Sequence, residues 1–314
     1  MPSPSARAGE RIEFVWLLIG FGLAAWGGAR FVDGAIGVAR AHSMSTGVVG
    51  ATLAAFATSS PELAVAVASA IDGRSEIALG DVAGSNVANL GLVLGLAVVA
   101  RPVLVSKTEV RRDLPWAVVS VVTVSVMILD GRLDRLEAAV LLAVFVGWVS
   151  RVLVRSSVPV TVEIDVSSRR LVWMQVARGL VALVAAGRLI VVGAEGVGER
   201  FGWSDFLVGA VLVAVATSMS ELVTVVISIR RGHAELGVGA LLGSNIFNTM
   251  FIVGVAGAIS TIDVGGRSVS ATLLIGAVVA LMVWPWRASR LGRAQGALLM
   301  SLFVVHLVVV AATG

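Results

Sequence analysis

Long apolar runs separated by short polar loops dominate the chain. A membrane-spanning helix needs about 20 mostly apolar residues, and ten stretches qualify. Five fall at roughly 13–40, 46–71, 76–99, 114–130 and 135–154, and five at 171–198, 206–230, 235–260, 267–286 and 291–312. The longest polar connector, 155–170, carries Glu163, Asp165, Arg169 and Arg170. The pattern predicts an all-α polytopic membrane protein of ten transmembrane helices. Its halves are 1–154 and 171–314, joined by a cytoplasmic linker at 155–170. The first apolar run is too long for the h-region of a signal peptide and is followed by further spans, so it reads as structural.

Charge sets the orientation. The polar N-terminal stretch and the loops after spans 2, 4, 6 and 8 carry Arg7, Arg11, Arg74, Arg132, Arg135, Arg200 and Arg267. The opposite loops carry fourteen basic residues: Arg40, Arg101, Lys107, Arg111, Arg112, Arg151, Arg155, Arg169, Arg170, Arg230, Arg231, Arg287, Arg290 and Arg293. The richer side is cytoplasmic, so both termini face outward. The basic balance, net +4, is therefore a topology signal and not a nucleic-acid surface. Only 14% of residues are charged, against about 25% in a soluble domain.

The chain repeats itself. Residues 46–95 align without a gap on 205–254, at a constant offset of 159, with 20 of 50 positions identical. Thr58-Ser59-Ser60-Pro61-Glu62-Leu63 matches Thr217-Ser218-Met219-Ser220-Glu221-Leu222, and Gly84-Ser85-Asn86-Val87-Ala88-Asn89 matches Gly243-Ser244-Asn245-Ile246-Phe247-Asn248. With five spans in each half, equivalent segments cross the membrane in opposite directions. That is the inverted-repeat plan of many secondary transporters, with the site near the midplane.

The two blocks carry the chemistry. Glu62 and Glu221 each lie deep in an apolar span, where an ionisable group costs roughly 2.5–3.5 kcal/mol on insertion scales. A lone protonated glutamate bonded to a neighbouring helix is the plainer reading, but the surrounding polar residues repeat as well. Thr58, Ser59 and Glu62 fall within about one helical turn, as do Thr217, Ser218 and Glu221. Pro61 predicts a break near 57–61, making the carbonyls of Ala55 and Thr58 candidate ligands. Ser220 stands in place of Pro61 in the second copy, so its break rests on hydroxyl residues alone. Ser85 and Asn89 share a helix face, as do Ser244 and Asn248. The glycine pairs Gly80/Gly84 and Gly239/Gly243 predict close approach of span 3 to span 2 and of span 8 to span 7.

All these groups are oxygen donors, which suit hard cations such as Ca²⁺. Neighbouring glutamates repel unless a cation or proton compensates them. Rival cations sharing two carboxylates are the physical basis of exchange. Cysteine is absent, and no phosphate loop, His/Cys metal set or Ser-His-Asp arrangement is seen. No cofactor is expected, and an enzyme is disfavoured.

Ala-Thr-Ser-Ser-Pro-Glu-Leu at 57–63 and Gly-Ser-Asn-Val-Ala-Asn at 84–89, with their second copies, resemble the α-repeats of the calcium/cation antiporter superfamily, most closely its prokaryotic sodium/calcium exchanger branch. The resemblance implies a multi-pass protein of the cytoplasmic (inner) membrane, with its N-terminus outside, that exchanges Ca²⁺ for Na⁺ by alternating access. The alternative is exchange of a divalent cation against H⁺ at the same carboxylates. It implies ion ligation by Ala55, Thr58, Ser59, Glu62, Ser85 and Asn89, and by Ala214, Thr217, Ser218, Glu221, Ser244 and Asn248. It also implies that spans 1 and 6, both glycine-bearing, slide as a pair. The family's Gly-Thr-Ser is here Ala57-Thr58-Ser59 and Ala216-Thr217-Ser218. Its second Pro-Glu is Ser220-Glu221, and its Gly-Asn is Gly80-Asp81 and Gly239-Ala240. Several prokaryotic relatives carry aspartate where Asn248 stands. Asp81, one turn before Ser85, adds an acidic group.

Overall fold

The computed structural model describes residues 12–27, 29–30, 54–104, 107–155, 166–230, 234–285 and 290–313. Its helices are α1 (Ile12–Gly27), α2 (Ala54–Thr58), α3 (Ser60–Ile71), α4 (Ser75–Ala100), α5 (Lys107–Met127) and α6 (Arg135–Arg155). The second half holds α7 (Val166–Phe201), α8 (Asp205–Thr217), α9 (Met219–Arg230), α10 (234–259), α11 (Arg267–Met282) and α12 (Arg293–Thr313). Several of these are long and apolar enough to cross a membrane, and large apolar side chains such as Leu18, Val122, Val181, Leu274 and Val308 are exposed on their outer faces. In water such a surface would aggregate; in hydrocarbon it is the favourable one.

Two stretches that the apolar pattern joins into single spans are broken. The first copy breaks between α2 and α3, at Ser59 (φ −89°, ψ 11°). The second breaks at Ser218 (φ −65°, ψ −1°), although Ser220 replaces proline there. α7 is helical from Val166, inside the stretch read as the polar connector.

Among the described residues, four two-residue strands stand between the helices: β1 (Val103–Leu104), β2 (Arg132–Leu133), β3 (Ile262–Asp263) and β4 (Arg290–Leu291). β1 pairs antiparallel with β4, and β2 with β3. β1 precedes α5 and β2 follows it; β3 precedes α11 and β4 follows it. The two ribbons therefore cap opposite ends of the α5/α11 pair, which packs together and runs antiparallel. The repeat offset of 159 carries β1 onto β3, at the opposite end.

Glycines set the closest approaches. A Cβ at Gly20 would lie 2.7 Å from Ile190 Cγ1, and one at Gly27 2.7 Å from Ala182 Cβ. From the other side, a Cβ at Gly193 would lie 2.8 Å from Leu17 Cγ. Helices α1 and α7 thus pack on each other with little side chain between them. Gly34, Gly37 and Asp33 lie outside the described residues; Arg30 stands 6.0 Å over the Trp26 ring.

Ion pairs tie α7 to the rest. Arg188 and Glu195, two turns apart on α7, each pair with a neighbouring loop and not with one another. Arg188 meets Asp72, and Glu195 meets Arg74 at 3.1 Å. Arg74 follows the left-handed turn at Gly73 (φ 74°). It also grips Asp205 at the start of α8, with Nε–Oδ2 at 2.9 Å and a second bond from its terminal nitrogen to Oδ1 at 2.5 Å. The hydrogen-bonded Asp205 carboxylate raises the Arg74 guanidinium further above its ordinary value, so this charge is permanent. A fork of this kind needs a planar guanidinium. Arg74→Gln is expected to lower stability by about 1–3 kcal/mol, read as a lower melting temperature in detergent. Arg74→Lys should recover only part of it.

Candidate ion-binding site

The residues singled out in the two blocks are all in the interior. Of Ala55, Thr58, Ser59, Glu62, Ser85, Asn89, Ala214, Thr217, Ser218, Glu221, Ser244 and Asn248, none is more than 8% exposed. The blocks lie far apart in sequence but meet through the helix breaks, with each half bonding to the other.

The contacts come in pairs related by the repeat. Thr58 Oγ1 lies 3.2 Å from Ser244 Oγ, and its equivalent Thr217 Oγ1 lies 3.2 Å from Ser85 Oγ. Each threonine hydroxyl also approaches the carbonyl three residues back, Ala55 O or Ala214 O, at 3.3 Å. These carbonyls are not released by the break. Each still accepts the backbone N–H four residues on, Ser59 at 3.0 Å and Ser218 at 3.1 Å. Their further contacts use the remaining lone pair. Ser59 Oγ donates to Glu221 Oε1 at 3.4 Å, a bond from the first half to the acidic residue of the second.

Several polar atoms here are buried and unmatched. Both carboxylate oxygens of Glu62, Ser218 Oγ, Asn89 Oδ1 and both polar atoms of the Asn248 amide have no hydrogen-bond partner. Glu221 and Asp81 are the charged neighbours of Glu62. An unpartnered buried carboxylate is among the costliest groups a protein can hold. Its retention is explained when the compensating charge is a cation. Among the described residues, no three acidic or imidazole groups converge tightly enough to hold a metal alone. A cation here would complete its shell with hydroxyls, amide oxygens and carbonyls, the mixed set that Ca²⁺ accepts.

Some of the framework was not singled out from sequence. Asn86 Nδ2 donates to Thr249 Oγ1 at 2.6 Å, and Asn245 Nδ2 to the Asn86 carbonyl at 3.0 Å. Asn89 gives its N–H to Asn245 Oδ1 at 3.1 Å, leaving its own oxygen free to accept a cation. Asn86 and Asn245 are the third residues of the two Gly-Ser-Asn blocks, so their recurrence was the available signal. Both downstream asparagines also sit in π-helical turns, Ala88–Leu94 and Phe247–Ile252, related by the offset of 159. A π-turn shifts the register of the side chains that follow, and such turns recur at functional sites.

Gly80 and Gly84 face a different partner from the one expected. A Cβ at Gly84 would lie 2.7 Å from Ala210 Cα, and one at Gly80 3.0 Å from Ala210 N. They bring α4 against α8 of the other half rather than against α3. His306 is a buried packing residue, its Nε2 at 3.5 Å from Ala210 O. His42, His233 and Trp286 lie outside the described residues; Trp26 and Trp284 are exposed, while Trp116 packs against the core.

Comparison with known proteins agrees with this architecture. CaxA of Alkalimonas amylolytica, provisionally named an antiporter, is 30% identical, covering 93% of this chain and 97% of that protein. The sodium/calcium exchanger MaX1 of Methanosarcina acetivorans is 27% identical, covering 95% and 98%. A solved structure of the sodium-calcium exchanger NCX_Mj superposes with a TM-score of 0.68 at 25% identity, covering 95% of this chain and 98% of that one. The family model described as sodium/calcium exchanger protein matches residues 12–154 and 171–312. The chain therefore belongs to the sodium/calcium exchanger protein family, a family of membrane cation antiporters, and to its prokaryotic branch.

Proposed function

We propose that this protein exchanges Ca²⁺ for Na⁺ across the cytoplasmic membrane by alternating access, with Glu62 and Glu221 as the central ligands of a site near the bilayer midplane. The observation that carries this reading is the joining of two sequence-distant acidic blocks: Ser59 to Glu221, Thr58 to Ser244 and Ser85 to Thr217. Thr58, Ser59, Ser85, Asn89, Ala55 and their counterparts Thr217, Ser218, Ser244, Asn248 and Ala214 supply the remaining oxygens. The antiparallel α5/α11 pair and the crossed ribbons support two inverted halves, while the ten apolar runs and the loop charges support ten spans with both termini outside. The tight α1/α7 contact supports these two helices as the sliding element.

The mechanism follows from charge. Two buried carboxylates cannot both stay ionised without compensation. Either one divalent ion or several monovalent ions complete the site, so loading one excludes the other. The bare site carries its repulsion into any crossing, which suppresses uncoupled movement.

The test is ⁴⁵Ca²⁺ uptake into proteoliposomes of purified protein loaded with Na⁺ and diluted into Na⁺-free medium. Uptake is expected to require the outward Na⁺ gradient and to stop when Na⁺ is equal on both sides. Uptake driven as strongly by an imposed H⁺ gradient without Na⁺ would overturn Na⁺ coupling in favour of proton exchange. Ca²⁺ flux needing no counter-ion would make the protein a channel.

A further inference from the structure

The two halves of the site are not electrically equal. Around Thr217 stand Ser85 Oγ at 3.2 Å, the Ala214 carbonyl at 3.3 Å and Asp81 Oδ1 at 3.1 Å. Ser85 Oγ also lies 3.2 Å from Asp81 Oδ1 and 3.4 Å from Ala214 O. The counterpart cluster, Thr58, Ser244 and the Ala55 carbonyl, has the same hydroxyl–hydroxyl and hydroxyl–carbonyl distances. The residue equivalent to Asp81 is Ala240, so that cluster lacks the carboxylate.

Protons are scarce in the first cluster. Asp81 Oδ1 and Oδ2, Ala214 O, Ser85 Oγ and Thr217 Oγ1 are five oxygens, against two hydroxyl hydrogens and the Ser218 N–H already given to Ala214 O. Asp81 is fully buried, and its Oδ2 has no hydrogen-bond partner. Glu221, across the repeat, adds a further negative neighbour. A buried carboxylate with one oxygen unmatched, among acceptors that outnumber donors, is matched by a hard cation better than by further hydrogen bonds. None of these hydrogen bonds among the described residues comes from a basic side chain.

We propose that Asp81 is a further cation ligand: with Ser85, Thr217 and the Ala214 carbonyl it forms a subsite beside the two glutamates, one negative charge richer than the counterpart subsite at Thr58, Ser244 and Ala55. The inference rests on the two-glutamate site being the ion site. It goes beyond that reading by making the site asymmetric and by giving it a third carboxylate, where the second half has the neutral Ala240.

Asp81→Asn tests it, because asparagine keeps the size and an acceptor oxygen while removing the charge. A unit charge acts on a divalent ion twice as strongly as on a monovalent ion at the same distance. The measurement is equilibrium binding of ⁴⁵Ca²⁺ to the purified full chain in detergent, with displacement by Na⁺, alongside the ion-free melting temperature. Expected for Asp81→Asn is a loss of Ca²⁺ affinity of about tenfold or more, a smaller loss for Na⁺ in decades, and an unchanged ion-free melting temperature. If this variant does not fold, Asp81→Ser, smaller and also neutral, gives the same reading. Affinities for both ions within twofold of the unsubstituted protein would overturn the proposal. So would equal losses for both ions accompanied by a lower ion-free melting temperature, which is the mark of a structural hydrogen bond. If the unsubstituted protein itself binds no Ca²⁺ that Na⁺ displaces, the parent reading fails, and this one with it. Normal binding by the unsubstituted protein with an indifferent Asp81→Asn would sink this inference alone.

Discussion

Glu62→Gln is expected to abolish Na⁺-driven Ca²⁺ uptake and leave the protein folded. The substitution keeps the shape of the side chain and removes one of the two central charges. Both oxygens of Glu62 are buried without a hydrogen bond of good geometry, and the nearby Thr217 hydroxyl and backbone offset only part of that burial, so the ion-free protein draws little stabilisation from the carboxylate. It bears the carboxylate's repulsion from Glu221 and Asp81. Removing one partner of a buried, compensated charge pair costs about 3–5 kcal/mol, which corresponds to roughly a hundredfold or greater loss of Ca²⁺ affinity. The ion-free melting temperature should therefore hold or rise, while the increase that Ca²⁺ produces in the unsubstituted protein disappears. Glu221→Gln should behave alike in transport. It should lose more ion-free stability than Glu62→Gln, because Glu221 accepts the Ser59 hydroxyl. ⁴⁵Ca²⁺ uptake in proteoliposomes and melting in detergent with and without Ca²⁺ check both. Retained, Na⁺-dependent uptake by either variant would remove the two-glutamate site from the account.

Much of this was legible in the chain. Apolar length placed the helices closely: runs read at 76–99, 135–154 and 291–312 correspond to Ser75–Ala100, Arg135–Arg155 and Arg293–Thr313. Two glutamates at equivalent positions of the repeat pointed to the candidate site, because so costly a group does not recur by accident in apolar spans. What stayed hidden has a common physical character. The π-turns at Asn89 and Asn248 are backbone adjustments made by packing, and they leave no periodic mark on residue type. The partner of Gly80 and Gly84 was hidden for a different reason. A small-residue stripe says that something comes close, not which helix it is. Arg188 and Glu195 stand seven apart on one helix, a spacing that leaves their partners open. The loop at Asp72 and Arg74, which competes for both, is visible only in three dimensions.

Gly84→Val should cost both stability and transport. A Cβ at Gly84 would stand 2.7 Å from Ala210 Cα and 2.8 Å from Ala210 C. These are backbone atoms of α8, which cannot rotate away as a side-chain end could. The same contact is tight from the other helix, where a Cβ at Gly209 would lie 2.8 Å from Asp81 N. Adding a branched side chain must push α4 and α8 apart. Overpacking of this kind costs about 1–3 kcal/mol. The next residue is Ser85, whose bonds to Thr217 and Ala214 at 3.2 and 3.4 Å bridge these two helices. Separation by even half an ångström lengthens them past a useful hydrogen bond, and with them the distance over which the two halves share an ion. The expectation is a melting temperature several degrees lower in detergent, together with Ca²⁺ uptake reduced further than the loss of folded protein explains. Gly147→Ala is the control. Gly147 lies on the outer face of α6, where a Cβ meets nothing within 4 Å among the described residues, and alanine favours the helix by up to about 1 kcal/mol. It should melt and transport as the unsubstituted protein does. A Gly84→Val protein that did the same would show that the close α4/α8 approach is not what holds the two halves of the site in register.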